Sequence, residues 1–320
     1  MKKITAVVSV TFFLISGMFL SCTKKEMTKT YRVGISMALF ADNFLTYLRE
    51  AMNEYAGNIP DLEIFVEDAK NDVGLQLAQV ENFIAQNYDA VIVNPADTEA
   101  TDSITEQCVK SHMPLVYVNR MPETELPSGV VFVGSDEVVA GREQAKILAE
   151  KMGGKGNIVI MLGELSSVGT RGRTKGVKEV LSQYPDIKLL DEQTAIFQRS
   201  QALDLMSNWL LAGYKINAVA ANNDEMALGT IMALKNAGLH PNKDVFIGGV
   251  DATPDALDAM KAGELTVTVF QNAKGQGEGA VKAAYALAKK EHVDSKVWIP
   301  FEPVTEENYK EYRKKLGLTD

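Results

Sequence analysis

Residues 218–237 read AVAANNDEMALGTIMALKNA. Four small apolar residues, Ala218–Ala221, meet three polar ones, Asn222, Asn223 and Asp224, and a helical pattern then runs from Glu225 to Ala237. An apolar run too short for a buried helix, an abrupt polar exit and an amphipathic run together make one strand–helix unit. The unit repeats in both directions along the chain. Strand-like runs occur at Tyr31–Ser36, Leu62–Glu67, Ala90–Asn94, Leu115–Asn119 and Val130–Val133, then at Asn157–Leu162, Ile187–Asp191, Val245–Val250 and Leu265–Phe270. Helical patterns such as Asp42–Ala56, Gly74–Gln86, Thr98–Ser111 and Gly141–Met152 lie between them. The strands are nearly unbroken apolar runs, which predicts parallel sheets covered on both faces. Their spacing of roughly 25–30 residues suits right-handed crossovers. The rhythm predicts an α/β fold with two consecutive doubly wound domains.

Composition narrows the function. At 320 residues, 46% hydrophobic and 23% charged, the chain has the make-up of a globular protein of two ordinary domains. A net charge of −9 argues against nucleic acid as a partner, because phosphate backbones demand dense Lys/Arg surfaces. Two cysteines cannot build a disulfide scaffold, and His112, His240 and His292 fit no metal-binding spacing. There is no GxxxxGK[ST] loop and no G-x-S-x-G elbow. Gly275-Gln276-Gly277-Glu278-Gly279 follows a strand but lacks the acidic partner of a dinucleotide site. Acids are plentiful, yet nothing marks two of them as a glycosidase pair. No enzyme, cofactor or metal is expected.

The first residues have the layout of a secretory signal: Lys2 and Lys3, an apolar run from Ile4 to Leu20, then a polar turn at Cys22. The junction resembles a bacterial lipobox, in which the cysteine becomes the acylated first residue. Residues 1–21 are therefore expected to be a signal peptide, and 22–30 a lipidated tether anchored through Cys22. Loss of Lys2 and Lys3 would take the net charge from −9 to −11 (−9 minus 2). Cys108, on a helical pattern, then has no partner and reads as a small buried hydrophobe.

In doubly wound sheets, ligands bind beyond the carboxyl ends of the strands. Those exits carry Phe40, Asp42, Asn43 and Phe44, then Asn94, then Asn119 and Arg120, then Ser166 and Ser167, then Asn222–Asp224, Asp251, and Gln271 with Asn272. Hydroxyl groups both donate and accept, so a polyol needs acids, amides and guanidiniums aimed at neighbouring oxygens, with aromatic rings over its apolar face. Asp42, Asn94, Arg120, Arg173, Asn223, Asp251 and Gln271 supply that mixture, with Phe40, Phe44 and Phe197 as rings. Each alone is weak evidence, and some have a plainer reading. Asp42, Asp224 and Thr253 could be helix N-caps, Asn94-Pro95 a turn, and Arg173 part of a solvated helix face. Trp209, at helical spacing, reads as core.

Ala221-Asn222-Asn223-Asp224-Glu225-Met226-Ala227-Leu228-Gly229, Gly249-Val250-Asp251-Ala252-Thr253-Pro254-Asp255-Ala256-Leu257 and Asp42-Asn43-Phe44 resemble the periplasmic sugar-binding proteins of ABC importers. The resemblance covers essentially the whole chain after the signal. Residues 116–122, 131–137 and 297–301 resemble the rhizopine/inositol-binding branch. The resemblance implies two Rossmann-like doubly wound parallel-sheet lobes joined by a three-segment hinge, crossing near Ser135-Asp136, Gln271-Asn272 and Trp298–Glu302. Lobe 1 would be 31–135 plus 273–298, and lobe 2 136–272 plus 299–320. It puts Asp42, Phe44, Asn94, Arg173, Asn223, Asp251 and Gln271 on ligand-contact positions and Phe197 on a stacking position, while Arg120 matches the arginine of ribose-like binders. Ser167 and Gly169 stand where galactose/glucose binders carry a histidine and an aspartate, and the acidic calcium loop of those binders is absent. The implied function is an extracytoplasmic lipoprotein, a monomer by default, that captures a polyol, first choice myo-inositol or a related cyclitol. It would do so by hinge closure and deliver the ligand to an ABC permease. The alternative is an aldose binder (glucose/galactose or ribose) serving transport or a chemoreceptor.

Overall fold

The computed structural model describes residues 29–319 and Lys3. The expected signal peptide, Cys22 and the tether up to residue 28 lie outside the described residues.

The first half runs β1 (Tyr31–Met37), α1 (Asn43–Gly57), β2 (Leu62–Asp68), α2 (Val73–Ala85), β3 (Ala90–Val93), α3 (Asp102–Lys110), β4 (Leu115–Val118) and β5 (Val130–Gly134). The second runs α4 (Glu137–Lys151), β6 (Lys155–Leu162), α5 (Val168–Leu181), β7 (Asp186–Thr194), α6 (Arg199–Leu211), β8 (Ala218–Ala221), α7 (Asp224–Asn236), β9 (Phe246–Gly248), α8 (Pro254–Lys261) and β10 (Thr268–Phe270). The chain then returns through α9 (Ala273–Ala288) and β11 (Lys296–Trp298) and ends with β12 (Glu302–Val304) and α10 (Tyr309–Lys315).

Two sheets result. One has the order β11-β5-β4-β3-β1-β2, with every neighbouring pair parallel. The other has the order β7-β6-β8-β9, also parallel, and is continued by single bridges from Gly248 to Val267 and from Asp251 to Phe270. Through these bridges β10 lies beside β9, and β12 pairs with β10 antiparallel. The halves are not simply end to end. α9 packs on α1 across Ala51 and Gly277 while β11 joins the first sheet, so the chain enters the first lobe twice.

Packing explains the apolar strands. In the first sheet one face carries Val33, Ile35 and Ile92 against α1 and α9, and the other carries Val91, Val93 and Tyr117 against α2 and α3. These side chains are fully buried, and each such aliphatic contributes about 1.5–3 kcal/mol relative to exposure. Cys108 is buried, and burial pushes its thiol up to about 12, so it is an inert core residue. Trp209 is likewise core, with its indole N–H donating to Asp191 Oδ2 at 2.9 Å.

Helix starts differ from the periodicity reading where side chains cap. α4 begins at Glu137 rather than Gly141, because Asp136 accepts the Val138 N–H at 3.0 Å. α3 begins at Asp102 rather than Thr98, whose hydroxyl instead donates to the Ser166 carbonyl in the other lobe. Among the described residues no helix is long and apolar enough to cross a membrane.

Candidate functional site

Both sheets reverse direction beside their first strand: β2-β1-β3 in one lobe and β7-β6-β8 in the other. Loops diverge at such a switch point and leave a crevice at the strand ends. The two crevices face each other and enclose a small cavity of about 40 Å³, where a single water needs roughly 10–15 Å³. Asp42, Phe44, Leu45, Asn119 and Arg120 line it from one lobe. Glu137, Ser167, Gly169, Arg173, Phe197, Asn223, Asp251 and Gln271 line it from the other.

Eight of the ten residues proposed from sequence are therefore brought together. The other two are not. Asn94 is fully buried behind the site, where its side-chain oxygen accepts the Ala38 N–H and its amide N–H groups donate to Val118 O and Asn119 Oδ1. It holds Asn119, whose own amide donates to Gln276. Phe40 packs on the α1 side of the core under the Arg49 guanidinium, 4.1 Å from its ring centroid, and does not line the cavity. Sequence reasoning noted Asn119 and Ser167 at strand exits, and Ser167 and Gly169 as departures from the galactose/glucose binders, but named none of the three as a ligand contact. Glu137 carried no signal, because an acid in the first turn of a helix reads as a partner for the helix dipole.

The N-cap and cavity readings turn out to be compatible. Asp42 caps α1 through one oxygen, accepting Leu45 N–H at 2.8 Å, and Asn223 caps α7 by accepting Met226 N–H at 3.0 Å. A helix N-terminus at each crevice favours bound oxygen atoms. Asp224 is the first residue of α7 and not its cap. Fully buried, it accepts from Thr253 N, Thr253 Oγ1 and Thr268 Oγ1, tying the β8 exit to the two neighbouring strand ends. Burial raises its carboxyl to about 7 despite those bonds.

The Arg173 side chain is 7% exposed, so it is no solvated helix face. Its Nε donates to Glu137 Oε2 at 2.7 Å, Nη1 to the Asn222 carbonyl at 2.6 Å and Nη2 to Gln271 Oε1 at 3.0 Å. Burial opposes its charge, but the carboxylates of Glu137 and Asp251 outweigh this and hold its pKa above the ordinary value. Burial in turn pushes Asp251 well above the usual carboxylate range. Arg173 pulls it back, and the nearby acids Asp224, Asp42 and Glu137 add to the rise. Gln271 Nε2 is buried with no hydrogen-bond partner among the described residues, a donor with its capacity unspent.

The backbone is strained where it aims these groups. Asp251 has φ 123°, and Ile196 and Phe197 have φ 46° and 60°, conformations that cost of order 1–3 kcal/mol each for residues with a Cβ. The Phe197 ring presses against Gly163, where a Cβ would fall 2.0 Å from its Cζ. Among the described residues, no group of three or more His, Cys, Asp or Glu side chains is placed to hold a metal ion.

Comparison with known proteins agrees with the two-lobed α/β fold. Residues 33–292 match the model of the periplasmic binding protein domain. A protein named for rhizopine binding in Rhizobium meliloti is 48% identical over 88% of this chain and 93% of its own length. A xylitol-binding protein of Mycolicibacterium smegmatis is 36% identical over 87% of this chain and 78% of its own. The crystal structure of an ABC transporter solute-binding protein from Bacillus halodurans with bound myo-inositol superposes with a TM-score of 0.86. It is 43% identical and covers 90% of this chain and 98% of the other.

Proposed function

Because the chain belongs to the periplasmic binding protein family, whose members matched here are solute-binding proteins and not enzymes, we propose that it captures a polyol between its lobes outside the cytoplasm and hands it to an ABC permease. Myo-inositol or a related cyclitol is the ligand we favour. The observation that carries this reading is the polar ring itself: Asp42, Asn223, Asp251 and Gln271 with Arg120 and Arg173, facing one another across the cleft between the lobes.

The chemistry fits neutral hydroxyls. Carboxylates accept from them, while the unpaired Gln271 N–H and the guanidiniums donate to them, so adjacent hydroxyls can be met in both senses. Phe44 and Phe197 supply apolar surface for ring C–H groups. A polyol touching both lobes binds the closed arrangement far better than an open one, and that difference drives closure. The likeness to the rhizopine and myo-inositol proteins supports a cyclitol, and the xylitol relative keeps acyclic polyols close behind. Attachment to the membrane through an acylated Cys22 belongs to the same proposal, as do the hinge segments and lobe boundaries given above.

A calorimetric panel of myo-inositol, scyllo-inositol, xylitol, ribose, glucose and galactose tests the ligand. Tightest binding by an inositol at micromolar or lower concentration, roughly −8 kcal/mol or better, supports the cyclitol reading. Preference for glucose or galactose would mean that Ser167 and Gly169 do not exclude those sugars, and it would move the assignment to an aldose.

A further inference from the structure

Building on the polyol reading, we infer that Glu137 is the positioning residue of the site: its carboxylate holds the Arg173 guanidinium off Asp251, so that both remain available to ligand hydroxyls. Arg173 has five N–H groups in a rigid fork. Three are committed, to Glu137, to the Asn222 carbonyl and to Gln271. The remaining two lie on the terminal nitrogens, and Nη1 stands 3.8 Å from Asp251 Oδ1, beyond hydrogen-bond reach. A guanidinium and a carboxylate this close, both nearly buried, would close into a direct pair if nothing held the fork back, because bidentate pairing is the strongest contact open to them. Glu137 holds it from the opposite side at 2.7 Å, with both side chains 7% exposed.

The surrounding packing keeps Glu137 there. It is the first residue of α4, directly after the Asp136 cap. At Gly172 a Cβ would fall 2.5 Å from the Cβ of Glu137, and at Gly141 a Cβ would fall 1.9 Å from the Arg173 carbonyl oxygen. The two helices approach so closely that the acid and the guanidinium meet directly. Because Glu137 also follows the Ser135-Asp136 segment, where the chain leaves β5 for α4, it links the lobe connection to the fork that meets the ligand.

The test compares Glu137→Ala and Glu137→Gln with the wild-type protein, by calorimetry with myo-inositol and its monodeoxy analogues. The glutamine variant keeps an acceptor near Arg173 Nε, and the alanine variant removes it. We expect Glu137→Ala to weaken myo-inositol binding by about tenfold or more, with Glu137→Gln intermediate. The deoxy analogue most weakened in the wild type should bind Glu137→Ala about as well as myo-inositol does, because the contact it lacks is already lost. Equal weakening of every analogue, or no difference between the two variants, would mean a merely structural role and overturn the inference. Nitrogen-15 NMR of the ligand-free protein gives an independent reading: one slowly exchanging arginine Nε–H, present in the wild type and in Glu137→Gln, lost in Glu137→Ala and in Arg173→Lys. Absence of that signal from the wild type contradicts the pairing. A wild type that binds no polyol contradicts the functional reading, whereas a wild type that binds beside an equally competent Glu137→Ala contradicts the role of Glu137, so the two failures are told apart.

Discussion

Asp251 is the side chain on which the site most depends, because it is buried, its carboxylate has no hydrogen-bond partner within 3.5 Å among the described residues, and it faces the Arg173 guanidinium. Each hydrogen bond from a ligand hydroxyl to such a carboxylate is worth about 1.5–3 kcal/mol, so Asp251→Ala should weaken polyol binding at least tenfold while leaving the fold intact, as titration of the variant will show. Asp224 gives a different signature. Its carboxyl titrates near 7 in the folded chain and near 3.8 when unfolded, so the folded state holds the extra proton between those values. Stability from this group is present below about pH 4 and is lost as pH rises through about 7. Relative to Asp224→Asn, the wild type should therefore lose stability from pH 4 to 7 in denaturant titrations. A difference independent of pH would contradict the assignment. Polar residues at strand exits were legible from sequence because the strand ends were. Whether a given side chain turned into the cavity or behind it was not. Asn94 and Asn119 are alike in type and position, and only their hydrogen bonds separate a backing residue from a lining one.

At the scale of elements, the site depends on α4 and α5 being pressed together. Gly141 faces the Arg173 carbonyl, and Gly176 faces the Val138 carbonyl, where a Cβ would fall 2.2 Å away. Gly141→Ala must push α5 outward and carry Arg173 with it. The expected cost is about 1–3 kcal/mol of stability, typical of overpacking, together with loss of affinity; thermal unfolding and ligand titration of the variant measure both. Undiminished affinity would show that Arg173 is placed by its own hydrogen bonds and not by its helix. The alternation of strands and helices was plain in the sequence, since buried parallel strands are apolar on both faces. The helix starts were not, because they depend on caps such as Asp136 and on Thr98 bonding across to the other lobe. Nor does hydrophobic pattern reveal that β12 joins β10, since a strand of three residues has no period to read.

For the whole molecule, several polar contacts join the lobes at the rim of the cleft. Arg171 reaches Glu99, Glu123 and the Thr98 hydroxyl, Asn71 donates to Glu164 at 2.9 Å, and Asn43 donates to Glu225 at 3.0 Å. Arg171 is a third exposed, so its ion pairs are worth about 0.2–1 kcal/mol, enough to tune closure but not to drive it. Arg171→Ala should weaken ligand binding by no more than about fivefold and reduce its dependence on salt, as titrations at low and high ionic strength will show. A hundredfold loss would mean that the rim, and not the ligand, holds the lobes together. The central claim is that a polyol bound between the lobes closes them. Fluorescence energy transfer between dyes on the outer surfaces of the two lobes tests it most directly. The account predicts a saturable shortening of the interlobe distance as the polyol that binds best is added, shifted to at least tenfold higher concentration in Asp251→Ala. An interlobe distance that stays the same while that polyol saturates the protein would contradict it.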